Sequence, residues 1–246
     1  MSYDIIFPDR NGITGNETIT TENNIVLIGA NGSGKTRLGV RIEELTQNSI
    51  TVHRISAQKA LNIPDYAEIK NIEQAENELL FGRSDEHANI DNKMNTRWGR
   101  KPATFLLDDY SRLLSLLFAK SAERDRDYTL AAKERESYSE VPDAPIDKII
   151  SLWNTIMPHR GVSFADGKVM AHKTGQDEYH GQEMSDGERV ILCYYFELNN
   201  YSKYKLIIFN PETLIIKRGY VFGFSFLKPF NYTISSKYID LIIKPF

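Results

Sequence analysis

Cysteine is almost absent: Cys193 stands alone in 246 residues, so no disulfide can form within the chain. That usage is expected of a reducing compartment, and a buried structural thiol is the simplest role for Cys193. Histidine is also sparse. His53, His87, His159, His172 and His180 show no metal-ligand spacing, and no Ser-His-Asp motif accompanies them. No stretch reaches the roughly 18 apolar residues of a membrane span. The opening MSYDIIFPDR lacks a basic segment followed by a long apolar run, so no signal peptide is expected and a cytoplasmic location is. Neither sign of charge dominates. The net charge is −3 and the pI near 6.0, which argues against a polyanion binder as a whole but leaves a local basic patch open. Internal repeats and low-complexity runs are missing too. With 41% apolar and 26% charged residues, the chain has the composition of one large globular domain, or of one domain carrying an inserted lobe.

What is present is concentrated in two short motifs. The first is LIGANGSGKT, residues 27–36. Residues 24–28, NIVLI, form an apolar, β-branched run that predicts a buried strand. Gly29, Ala30, Asn31, Gly32, Ser33, Gly34, Lys35 and Thr36 then match G-x-x-x-x-G-K-[ST]. Glycines at these positions let backbone N–H groups turn inward around phosphate oxygens. Lys35 would reach the β- and γ-phosphates, and the Thr36 hydroxyl would ligate Mg²⁺. Residues from Thr36 to Thr46 predict a helix with Leu38, Ile42 and Leu45 on one face, its positive end at the anion.

The rest of the chain reads coarsely. Short strands are expected at Asp4 to Phe7, Glu17 to Ile19 and Ser49 to Ile55. Pro64 to about Leu80 predicts a helix, and polar, turn-rich Gly82 to Pro102 a mobile loop. From Thr104 to Ser137, Leu106, Tyr110, Leu113, Leu114 and Leu117 recur at helical spacing before a charged, solvated half. Ile146 to Met157 is a further amphipathic helix. Val162 to Phe164 and Lys168 to Ala171 flank Asp166-Gly167, a strong hairpin-turn signal.

The second motif is EMSDGERVI, residues 183–191. Ser185 and Glu188 have the spacing of a capping box at the start of the apolar run Val190 to Phe196. Beside the phosphate loop, the same residues resemble the Ser-x-Gly-(Gln/Glu) signature of the ABC-type ATPases. That resemblance implies that Ser185, Gly187 and Glu188 of one protomer face the γ-phosphate held by another, in a homodimer or higher homo-oligomer. It also implies a glutamine after an early strand that senses the γ-phosphate and Mg²⁺. Gln58 is the candidate, with an ordinary surface-loop glutamine as the alternative. The Met-Ser-Asp-Gly-Glu-Arg form and the long helical insertion look most like the soluble, OLD-like ATPases. Some of these pair with, or are fused to, TOPRIM nuclease domains in bacterial phage-defence systems. The resemblance covers roughly residues 1–193.

After the signature helix, ABC-type ATPases carry a strand ending in Asp-Glu: the first holds the Mg²⁺ shell and the second orients water. Here KLIIF, Lys205 to Phe209, runs into Asn210, Pro211 and Glu212. Aligned on Pro-Glu, Phe209 falls at the aspartate and Asn210 at the glutamate. Glu212 is the one carboxylate nearby and remains the catalytic candidate beside Lys35, although displaced. Residues from Tyr194 onward hold seven of the 13 Tyr, seven of the 12 Phe and only three acidic residues, so they read as a divergent or out-of-frame end. The alternative is a β-rich closing segment with strands at Tyr220 to Phe226 and Tyr238 to Ile243.

The expected fold is α/β: a P-loop NTPase of ABC type, with a central mixed sheet, N-terminal antiparallel strands and an inserted helical lobe. Expected domains are 1–61 with the phosphate loop, 62–160 as the helical lobe, 161–210 with the signature and the last strand, and 211–246 as the tail. The expected function is an ATP-driven switch in a defence or DNA-maintenance system. The alternative is a nucleotide-binding module with little or no hydrolysis. DNA contact through Arg97, Arg100 and Lys101 beside Trp98 is a third reading, weighed against a plain solvated loop.

Overall fold

The computed structural model describes residues 3–9, 15–21, 32–55, 61–134, 140–199 and 206–209. Its first elements are strands β1 (Tyr3–Phe7) and β2 (Glu17–Thr21), helix α1 (Lys35–Thr46) and strand β3 (Val52–Ile55). Helices α2 (Ile72–Phe81), α3 (Ile90–Thr96), α4 (Asp109–Lys133) and α5 (Pro145–Ile156) follow. The order closes with strands β4 (Arg160–Ala165), β5 (Lys168–Lys173) and β6 (Tyr179–His180), helix α6 (Asp186–Asn199) and strand β7 (Leu206–Phe209). The class is mixed α/β. Two compact units emerge. One takes the described residues up to 55, with 102–105 and 206–209; the other takes 61–101 and 106–199.

In the first unit β1 and β2 form the expected antiparallel pair, with Ile5 opposite Ile19. β3 runs parallel to β7, with Ile55 opposite Phe209. Every residue of β3 is buried, the pattern of a strand covered on both faces. Helix α1 packs on β1 and β3. Its buried face is Gly39, Val40, Ile42, Glu43 and Thr46, while Leu38 and Leu45 are only half-buried. The expected apolar stripe is therefore rotated, because two polar residues have partners inside. The Thr46 hydroxyl accepts the Ile6 N–H at 3.1 Å. Arg54 Nε donates to Glu43 Oε2 at 2.8 Å, with both side chains buried, and its terminal nitrogen donates to the Pro102 carbonyl at 2.7 Å. The expected strand at residues 24–28 lies outside the described residues.

In the second unit the first half of α4 is the core. Tyr110, Leu113, Leu114, Leu116 and Leu117 are buried where α4 meets α2, α5 and α6. Phe196 of α6 packs edge-on against Tyr110 and Phe164, with ring centres 5.7 and 5.8 Å apart. The charged second half of α4 is mostly exposed, as its sequence predicts. β4, β5 and β6 form an antiparallel sheet. Asp166 and Gly167 join β4 to β5 with φ of 52° and 75°, the left-handed pair that their sequence signals. Cys193 is buried, as expected.

Three expectations are corrected here. Residues 64–71 are not helical; α2 starts at Ile72 because the Asn71 side chain accepts the Gln74 N–H at 2.8 Å and fixes the end there. Within 82–102, expected as a loop, Asn89 caps the short helix α3 by accepting from Asn92 N–H at 3.1 Å. Arg97 and Trp98 are 1% exposed, so they form no solvated basic surface. Arg97 donates twice to Asp109, at 3.1 and 3.0 Å, and also to the Leu79 carbonyl. An indole and a guanidinium sealed in this way cannot stack on a base or touch a phosphate, which removes the DNA reading at these two positions. Arg100 and Lys101 remain exposed.

Candidate functional site

Of the glycine-rich turn, Gly32, Ser33, Gly34, Lys35 and Thr36 are described; Gly29, Ala30 and Asn31 lie outside the described residues. Gly32 and Gly34 have φ of 82° and 88°. Left-handed backbone at alternate residues turns successive N–H groups toward one side, the geometry of an anion nest. A Cβ at either glycine would meet nothing within 4 Å, so conformation, and not crowding, requires glycine here. Gly34 is the N-cap of α1 and contributes no side-chain hydrogen bond. No acidic residue sits in the first turn, which instead carries Lys35, Thr36 and Arg37. At α2, α3 and α6 a side-chain oxygen of Asn71, Asn89 or Ser185 fills the equivalent place, whereas Asp108 at α4 and Ala144 at α5, like Gly34, give no side-chain cap. A left-handed, glycine-lined turn without a side-chain cap, opening a helix with a cationic first turn, fits a phosphate group.

The parallel pairing of β3 and β7 makes both strands end at one edge, with Ile55 beside Phe209. Ligands in parallel α/β sheets gather at the carboxyl ends of strands. Gln58 follows the first of these ends by three residues, while Asn210 and Glu212 follow the second by one and three. All three lie outside the described residues. Phe209 is the last residue of β7, and no carboxylate precedes it in that strand.

The Ser-Asp-Gly-Glu turn belongs to the second unit. Ser185, Asp186 and Gly187 are exposed, and a Cβ at Gly187 would meet nothing within 4 Å. Glu188 is buried. Its Oε2 accepts the Ser185 hydroxyl at 2.6 Å and the Ser185 N–H at 2.9 Å, and the Ser185 hydroxyl oxygen accepts the Glu188 N–H at 3.4 Å. The capping box is thus formed as the spacing predicts. Arg189 pairs with Asp186 across the first turn.

Three holders of this turn were invisible in the sequence. Arg160, at the start of β4, donates to Glu188 Oε1 at 2.7 Å and to the Tyr179 hydroxyl at 3.3 Å. Tyr110 of α4 donates its hydroxyl to the Arg189 carbonyl at 2.8 Å, and burial pushes that phenol well above its ordinary pKa, keeping it a donor. Gln182 donates to Asp65 at 2.9 Å across 117 residues of chain. Burial raises the Glu188 pKa, but the Ser185 hydroxyl and N–H and the Arg160 charge outweigh it, and the carboxyl sits below its ordinary value.

Comparison with protein-family models, with curated proteins and with solved structures gives no match to this chain. Among the described residues no helix is long and apolar enough to cross a membrane.

Proposed function

We propose that this chain binds ATP with Mg²⁺ at residues 29–36 and works as an ABC-type ATPase of the OLD-like kind, a nucleotide-driven switch. The observation that carries the reading is the pair of left-handed glycines, Gly32 and Gly34, opening α1 beside Lys35 and Thr36. Backbone N–H groups of the turn hold phosphate oxygens, and Lys35 neutralises the β- and γ-phosphates. The Thr36 hydroxyl and the Gln58 amide oxygen are the Mg²⁺ ligands this chain offers. Mg²⁺, when bound, neutralises phosphate charge and orients the terminal phosphate. The exposed Ser185 and Gly187, with Glu188 beneath them, act on the nucleotide of a second copy, so the working form is a homodimer or larger homo-oligomer. The setting is a cytoplasmic defence or DNA-maintenance system, with a TOPRIM nuclease as the partner to test first.

A second reading, binding with little or no turnover, is favoured by one feature. β7 ends in Phe209, where the class has the Mg²⁺-shell aspartate, and Asn210 follows where the class has the carboxylate that orients water. Phosphate release from ATP by the purified chain, beside its Lys35→Ala and Phe209→Asp/Asn210→Glu variants, separates the two readings. Turnover by the unaltered chain that Lys35→Ala abolishes supports the ATPase. ATP binding without turnover, with release gained in the doubly restored variant, supports the silent module. A chain that binds no ATP removes both.

A further inference from the structure

The Ser185 hydroxyl, the group that meets a phosphate in the reading above, has its one proton committed to Glu188. The carboxylate receiving it lies directly beneath the exposed Ser185-Asp186-Gly187 turn. A bare carboxylate in that position repels an arriving phosphate. Here it is not bare, because Arg160 reaches over from β4 and donates to its second oxygen at 2.7 Å. Glu188 is 3% exposed, so its charge is screened poorly by water and depends on that partner. Arg160 is itself held by the Tyr179 hydroxyl and stays about a third exposed.

We propose that Arg160 is the positioning residue of the Ser-Asp-Gly-Glu turn: it neutralises and orients Glu188, so that an incoming terminal phosphate can draw the Ser185 hydroxyl away from the carboxylate without meeting a net negative charge. This deepens the reading above and rests on it. Arg160 touches no nucleotide; it acts through Glu188. Its role therefore concerns engagement of the second copy and not the first loading of ATP at Gly29 to Thr36.

The test uses the full chain in three measurements: thermal unfolding without nucleotide, binding of a fluorescent ATP analogue, and ATP-dependent self-association by sedimentation. Arg160→Gln leaves analogue binding within about two-fold of the unaltered chain and weakens ATP-dependent association roughly ten-fold, the effect of one uncompensated charge close to the phosphate. Glu188→Gln keeps the capping box but removes the charge. Placed in the Arg160→Gln background, it restores association; measured well below the melting temperature of every variant, that recovery reads the charge at the turn and not recovered folding. Arg160→Lys, which keeps the charge, loses less than Arg160→Gln. Unchanged association in a folded Arg160→Gln chain overturns the proposal alone, and so does a double variant no better than the single. An unaltered chain that binds no analogue overturns the parent reading and this one with it.

Discussion

Asp109→Asn is the sharpest probe of the second unit. Asp109 opens α4 and is fully buried, yet it is the shared acceptor of two arginines. Arg97 donates to both of its oxygens, and Arg112 reaches Oδ1 at 3.3 Å. The amide keeps the size of the side chain and removes its charge. Arg112, at 20% side-chain exposure, can turn to water; Arg97, at 1%, cannot. Breaking a buried pair by removing one partner costs about 3–5 kcal/mol, since the other charge stays desolvated. For a unit of this size that lowers the melting temperature by roughly 10–15 °C. Tryptophan fluorescence is the natural assay, because Trp98 and Trp153 are the only two tryptophans and both are buried in this unit. Replacing both partners together, Arg97→Met with Asp109→Leu, costs less than Asp109→Asn alone. A drop under about 3 °C for the single variant, or a double variant worse than the single, refutes the reasoning.

Gly161 faces His172 across β4 and β5, and a Cβ there would overlap the imidazole ring. Gly161→Ala therefore makes the half-buried imidazole turn aside, a loss of up to about 1 kcal/mol in urea unfolding, and adding His172→Ala returns part of it; equal losses with and without His172 count against the contact. The pH dependence follows from Glu188, whose carboxyl is held below its ordinary value of 4.5. A depressed carboxylate gives stability that is fully present above the unfolded value and is lost as pH falls through the folded one. The urea midpoint of the second unit falls on acidification below about pH 4.5, and Glu188→Gln flattens that fall; an unchanged slope in the variant contradicts the assignment.

Local chemistry was readable where it was self-contained. Asp166-Gly167 announced its hairpin because two adjacent residues hold the whole left-handed turn. Ser185 and Glu188 announced the start of α6 because both halves of the capping box are three residues apart. Asn71 and Gln74 carry the same signal at the start of α2. The buried arginines were not readable. Arg54 depends on Glu43 and the Pro102 carbonyl, and Arg97 on Asp109, partners brought together only by the fold. Polar composition alone made 82–102 look like a loop, although Asn89 caps a helix inside it and Trp98 anchors it. At the candidate site the glycine turn was legible because left-handed backbone nearly requires glycine. Arg160 was not, since nothing in the spacing of residues 160 and 188 joins them.

The central claim is that the turn ending at Gly34 and Lys35 receives a triphosphate. Titration calorimetry of Mg-ATP into the full chain tests it most directly. Saturable binding near one nucleotide per chain, weakened at least about ten-fold by Lys35→Ala, is the result predicted. Absence of binding by a folded chain, or equal affinity in the Lys35→Ala variant, contradicts it.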